Sequence, residues 1–239
     1  MFDKLLNLKK NKNTIEWIPA TQEVEDFVAP PEPTKNCIPQ WYKDKPGFDL
    51  TKLDRHKTTK TLKMCMPFLD AFLTGYTQKT WCDINIAHGE KTLEYHWAHP
   101  PEAIGHRDEV NLPIGNNYKQ LEFVWKIPWL PKLPKNYSVL ITHPLNREDL
   151  PFRTLTGIID ADDFYHVGLG QLPFYLDKDF EGIIPAGTPI FQCIPFERTE
   201  WKSKARAYNE KERNANEYLL GREFFGVYKR DFWKKKTYE

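Results

Sequence analysis

Two changes of texture divide the chain when its hydrophobic and polar positions are read in order. From about residue 60 to residue 196 short apolar runs alternate with polar residues: QKTWCDINIA, KTLEYHWAH, YKQLEFVWKI, NYSVLITHP, TLTGIID, HVGLGQLPFYL and TPIFQCIPF. Alternation with a period of two places one face of an extended strand in a core, and the Pro, Gly, Asn and Asp residues between the runs supply turns. The HGE between the first two runs predicts a hairpin. TLKMCMPFLDAFLTGY, just upstream, reads as a short apolar turn or helix ending at Gly75. With no helical period between the strands, the expected core is mainly β, a distorted sandwich or barrel.

The flanks read differently. FDKLLNLKK, residues 2–10, suits a short amphipathic helix or docking arm, too short to be stable alone. Pro19, Pro30, Pro31, Pro33, Pro39 and Pro46 then rule out regular interior structure and predict an extended strap over the surface. Trp17, Phe27, Trp41 and Tyr42 predict that the strap is pinned to the body. After Pro195 the segment FERTEWKSKARAYNEKERNANEYLLGREFF has helix-forming composition. Trp201, Ala205, Tyr208, Ala215, Tyr218 and Leu219 form a loose apolar stripe, and Gly221 is the expected C-cap. The final GVYKRDFWKKKTYE is a basic, aromatic tail. The organisation expected is an N-terminal arm and strap over residues 1–59, a β-rich core over 60–196, and a C-terminal helix and tail over 197–239.

Composition narrows the function classes. A chain of 239 residues buries a sizeable core, and its length favours one domain with extensions. The formal charge of +1 gives no whole-chain attraction to nucleic acid or to anionic membrane, so neither is an expected partner. No apolar run reaches the roughly 20 residues that cross a bilayer, and MFDKLLNLKKNKN lacks the apolar centre of a signal peptide. A protein that is not secreted is therefore expected. Cys37, Cys65, Cys82 and Cys193 are dispersed, without the close spacing of a zinc site, and are expected as reduced thiols. Cys82 and Cys193, inside apolar runs, are expected as buried small hydrophobes.

Three groups of residues carry candidate chemistry. His96, His99 and Glu102, with His106 and Asp108 close by, have the composition of a His/carboxylate metal site of the kind that cupins and non-haem iron oxygenases use. Strand periodicity sends His96 and His99 to opposite faces, and Pro100 and Pro101 break any helix that would align them, so no metal is expected. Trp233 and Tyr238, in the basic tail, join Trp41 and Tyr42 as expected partner-binding rings. The third group is the acidic turn after TLTGIID.

That turn sits in a series, LPKNYSVLITHP, LTGIIDADDFYHVGLGQLPF and DFEGIIPAGTPIFQCIPF, that resembles the segment order of dUTP pyrophosphatases and the related dCTP deaminases. The matching residues are Pro134 and Tyr137, then Gly157, Ile158, Ile159 and Asp160, then Ile184, Gly187, Ile190 and Gln192. The resemblance implies a β-clip fold. For a nucleotide-hydrolysing enzyme it implies Asp160 as the base on the attacking water and Gln192 as a phosphate or backbone contact. It further implies Gly157 and Ile159 at the base edge, Phe164 or Tyr165 over the sugar, Arg147 toward the phosphates, and Mg2+ as cofactor. The departures are specific. HPLNREDLPFRT carries no serine where the enzymes hold phosphate, Asp160, Asp162 and Asp163 repel a triphosphate unless metal is bound, and no glycine-rich lid follows. A shared fold without catalysis, and without a cofactor, is the expectation. Turn chemistry offers a plainer account, with Gly157 and Gly187 as turn glycines and Asp160 as a turn cap.

Over a longer stretch, IPQWYK, CMPFLDAFLTGY, THPLNREDLPF and EGIIPAGTPIFQCIPFER make the chain similar to a group of proteins encoded by tailed phages and some bacteria. This resemblance implies no activity. It implies a phage-associated structural or interaction protein in a virion or in the cytoplasm of an infected bacterial cell, partnered by itself or by other phage proteins.

Overall fold

The structure, a computed structural model, describes residues 14–54, 57–88, 93–107, 115–118, 123–165, 170–221 and 226–239. The amphipathic segment expected over residues 2–10 lies outside these, as does Asp108. In chain order the first strands are β1 (Glu16–Pro19), β2 (Glu32–Pro33), β3 (Phe48–Asp54), β4 (Lys57–Lys60), β5 (Tyr76–Lys79), β6 (Ile84–His88), β7 (Leu93–Trp97) and β8 (Ile104–His106). They are followed by β9 (Phe123–Lys126), β10 (Trp129–Lys132), β11 (Tyr137–Thr142), β12 (Phe152–Thr154), β13 (Gly157–Ile159), β14 (Gln171–Leu176), β15 (Gly182–Ile184) and β16 (Pro189–Glu197). The helices are short, α1 (Gln22–Phe27), α2 (Gln40–Asp44) and α3 (Met66–Ala71), until α4 (Glu210–Gly221) near the C-terminus. The chain is mainly β, as its alternation predicts.

Antiparallel pairing among the described residues gives a five-stranded sheet in the order β13-β11-β16-β5-β2, a four-stranded sheet β12-β14-β9-β8 and a three-stranded sheet β15-β6-β7. The pairs β1-β10 and β3-β4 stand beside these, and among the described residues the strands close no barrel. The three larger sheets share one core. Val139, Ile141 and Cys193 face inward from the first, Phe123, Trp125, Phe152 and Phe174 from the second, and Ile84, Ile86 and Ile184 from the third. Trp125 stacks on Phe174 with ring centroids 3.9 Å apart, and Phe152 meets Trp125 edge-on at 5.0 Å. Each such side chain, removed from water, contributes about 1.5–3 kcal/mol, which makes this aromatic layer the main apolar anchor of the body.

Two runs that read as single strands are each divided between sheets. QKTWCDINIA begins in β5 of the five-stranded sheet and continues in β6 of the three-stranded one. Thr80, at the corner, explains the break. Its N–H donates to Thr188 O (2.9 Å) and its carbonyl accepts from Gly187 N (2.8 Å), while its hydroxyl donates to Pro185 O (2.7 Å) and accepts from Thr188 N (3.0 Å). A residue bound to that turn cannot also extend the ladder. TLTGIID is divided likewise, Thr154 closing β12 and Gly157 opening β13. Gly157 lies in strand opposite Ile141, so it is not a turn glycine, whereas Gly187 is, with φ +83°.

The strap is more structured than its prolines predict. Thr21 caps α1, its hydroxyl accepting from Val24 N at 3.3 Å. Val24 and Val28 pack on Trp129, whose indole N–H donates to Val28 O at 3.0 Å. Trp17 is pinned against the core, but Phe27 is 66% exposed and pins nothing. Near the C-terminus, helix occupies only part of the expected stretch: β16 runs to Glu197, and α4 starts only where Asn209 accepts from Glu212 N at 3.2 Å. An N-cap side chain favours starting a helix at its own position and not earlier. Among the described residues no helix is long and apolar enough to cross a membrane.

Candidate functional site

The residues of the expected nucleotide site fall at two ends of β11. Asp160 follows β13 and stands beside Ser138, at the start of β11. Its carboxylate accepts from the Ser138 hydroxyl (2.6 Å) and from the Arg198 guanidinium (3.1 Å). The same guanidinium also bridges both oxygens of Asp162, whose side chain is 4% exposed and which accepts in addition from Asn136 N at 2.8 Å. The Arg198 hydrogen bonds hold the Asp162 carboxyl down at about 2, so Asp162 keeps its charge well into the acid range. Phe164 closes the Asp160 turn and is 57% exposed, and the Tyr165 ring lies under Lys132 Nζ at 5.0 Å.

Gln192 pairs with Thr142 at the far end of β11, four residues and therefore roughly 13 Å from Ser138. Its amide is buried. It accepts from Leu145 N (3.0 Å) and donates to Ala71 O (3.1 Å) and Thr74 O (2.5 Å), tying β16 to the segment after α3 and to the loop after β11. Arg147, in that loop, grips Asp149 through Nε (2.8 Å) and Nη2 (2.9 Å). The structure thus places Arg147, Gln192 and Gly157, which pairs with Ile141, toward the Thr142 end, and Ile159, Asp160, Phe164 and Tyr165 toward the Ser138 end, without uniting the two. Asp160 already carries an arginine and a hydroxyl, and Gln192 has no free amide group to offer a phosphate.

Beyond the Gln192 end lies a buried polar network that the sequence did not signal. His143 Nδ1 accepts from Thr154 N (3.2 Å), which leaves Nε2 to carry the proton donated to Arg147 O (3.0 Å). The ring is therefore neutral, and burial lowers its pKa from the ordinary value. The Thr154 hydroxyl donates to Ile190 O (2.6 Å) and accepts from Trp125 Nε1 (3.0 Å). Ile190 sits where the β16–β5 register shifts, and its carbonyl is satisfied by this hydroxyl.

The histidine group does not converge. His96 lies on β7, its side chain 71% exposed and 4.0 Å from Glu94, while Glu102 pairs with Lys126 at 3.4 Å and His99 is exposed in the following loop. Among the described residues no three His, Cys, Asp or Glu side chains gather to hold a metal ion.

The expected partner-binding rings are held by the protein's own body. Tyr42 is buried in a ring cluster with Phe68 and Phe72, at centroid distances of 5.9 and 4.9 Å. Trp41 caps this cluster and is 39% exposed. Trp233 donates to the Asp70 carboxylate at 2.9 Å, and Lys236 reaches the same carboxylate at 2.7 Å. Tyr238 meets Tyr76 edge-on at 5.7 Å, and burial raises both phenol pKa values. Lys35 Nζ donates to Tyr238 O and the Tyr76 hydroxyl to Glu239 O, both at 3.2 Å. The tail thereby forms one wall of a cleft of about 940 Å³ whose other walls include Trp17, Pro33, Tyr76, Tyr137 and Phe196. Asp70 and Tyr76 were missed because nothing local marks them; their partners lie 163 and 162 or more residues downstream.

Between body and tail the chain turns outward. Every residue from 199 to 219 is exposed, including Trp201 at 90%, Tyr208 at 71% and Tyr218 at 70%. The apolar stripe anticipated for the C-terminal helix does not pack on the body. The ion pairs of this connector, Arg206–Glu212 and Arg213–Glu217, are internal to it. Neither any protein-family model nor any curated protein matches the chain. Fold and geometry together define a mainly β body carrying an outward connector and a re-docked aromatic tail.

Proposed function

We propose that the protein is a non-catalytic structural or interaction protein, phage-associated, which assembles with itself or with other phage proteins. One observation carries this reading: an anchored connector presents large rings to water. Isolated exposed apolar residues are ordinary on a surface, but a 21-residue stretch with Trp201, Tyr208, Tyr218 and Leu219 all exposed is what an interface looks like before its partner arrives. The engagement of Asp160 by Arg198, and of Gln192 by three backbone groups, supports the absence of a hydrolytic role. The phage context rests on the sequence resemblance alone.

Mass-spectrometric inventory of purified particles, with light scattering on the isolated protein, tests the proposal. The expected result is the protein in particles, or an oligomer or defined complex with particle proteins. A stable monomer absent from particles overturns it.

A further inference from the structure

The tail reaches the surface that receives it after a long exposed stretch of chain. Hydrogen bonds and a ring contact that hold the tail are made with Lys35, Asp70, Gly75 and Tyr76, far upstream in sequence. The connector leading to it is exposed from residue 199 to residue 219, and its described ion pairs, Arg206–Glu212 and Arg213–Glu217, are internal to it. If the tail leaves its own body and seats on an identical one, every hydrogen bond and ring contact is re-formed and nothing in that stretch is lost. That is the condition under which exchange between copies costs little.

Reach does not prevent it. Residues 199–209 are without regular structure and α4 has 12 residues, so together they span up to about 50 Å, beyond the ~30 Å diameter of a small domain. In the closed monomer the tail has the advantage of high local concentration, but the connector rings stay in water. In a pair of copies that trade tails, two connectors run between the same two bodies, and Trp201, Tyr208, Tyr218 and Leu219 of each gain a surface of the same kind to pack against. The exchanged form thereby removes them from solvent, which the closed monomer does not.

We infer that two copies of this chain exchange residues 226–239, the tail of each occupying the Asp70–Tyr76 surface of the other. This rests on the assembly reading and names its partner and its joint. The recognition is specific: an acidic group receives an indole N–H and an ammonium together, and a tyrosine ring receives a tyrosine.

Charge reversal in complementary variants tests it. Asp70→Lys and Lys236→Asp each set like charges between tail and surface, whether the tail docks on its own body or on an identical copy. Mixed, the two variants restore opposite charges only across a pair containing one of each. With the variants carrying different tags, light scattering and co-purification should show wild type as a dimer and each variant shifted toward monomer by about 10-fold or more. The mixture should recover mixed dimers. Circular dichroism and melting curves establish that each variant is folded, and Trp233→Ala, which keeps the charges, provides a second weakening. A wild-type chain that stays monomeric up to about 100 μM, or a mixture no more associated than its components, overturns the inference. A dimer that survives deletion of residues 226–239 also overturns it but leaves the assembly reading standing. Monomer in solution together with absence from particles removes both.

Discussion

Replacing Thr154 by valine isolates the energetic weight of the buried network. The substitution conserves shape and β-branching, so β12 and the packing around it are preserved. It removes one hydroxyl that is 2% exposed and makes two bonds, to Ile190 O at 2.6 Å and from Trp125 Nε1 at 3.0 Å. The indole N–H and a strand carbonyl are then left in the core with no water to replace the partner. An unsatisfied buried polar group costs about 1–3 kcal/mol, so the pair costs roughly 3. Against this, the added methyl gains about 0.8 kcal/mol by burial. The polar loss wins, leaving a net destabilisation of about 2 kcal/mol. For a domain of this size that corresponds to a fall in Tm of roughly 4–8 °C, measured by calorimetry or by circular dichroism melting. The same change made in a Trp125→Phe background should cost about 1 kcal/mol less, because no indole remains to be orphaned. A Thr154→Val protein melting within about 1 °C of wild type would refute the argument that this hydroxyl satisfies the register shift in β16.

Further outcomes follow from other positions. Gly75→Ala should abolish stable folding, seen as loss of soluble expression or of a cooperative melt, because a Cβ there would lie 2.1 Å from Cys193 O at φ +76°. His143, neutral by its hydrogen bonds and lowered in pKa by burial, refuses a proton that the unfolded chain accepts near its ordinary 6.5. Stability should therefore fall as pH drops through about 6.5 and level off once below the folded value. His143→Asn, which keeps an acceptor near the Thr154 N–H, should flatten that part of the Tm–pH curve. dUTP or dCTP with magnesium should leave Tm unchanged, whereas binding at 100 times Kd would add about 2.7 kcal/mol, and Asp160→Asn should do little to stability because Asp162 retains Arg198.

Much of the fold was legible locally because strand alternation is a local property. TPIFQCIPF became the central β16, NYSVLITHP became β11, and QKTWCDINIA and KTLEYHWAH contain the β6–β7 hairpin. The buried state of Cys82 and Cys193 was legible for the same reason. The candidate site was less so. The resemblance put Asp160 and Gln192 in one site by analogy, whereas pairing registers set them at opposite ends of a strand, and neither register is written in the residues themselves. Tyr42, Trp233 and Tyr238 were recognisable as anchors, but whether a ring anchors a partner or its own body depends on which distant surface it reaches.

The sequence by itself determined which segments extend, that the turn at Gly187 demands glycine, and that the core would be apolar and rich in rings, since period, steric allowance and hydrophobicity belong to neighbouring residues. Tertiary structure alone decided that Thr80 and Thr154 end their strands, that Arg198 claims the acidic turn, and that the tail returns to Asp70 while the helix before it stays in water. Those outcomes are contacts between residues tens to hundreds of positions apart, and a contact of that kind exists only once the chain has closed on itself.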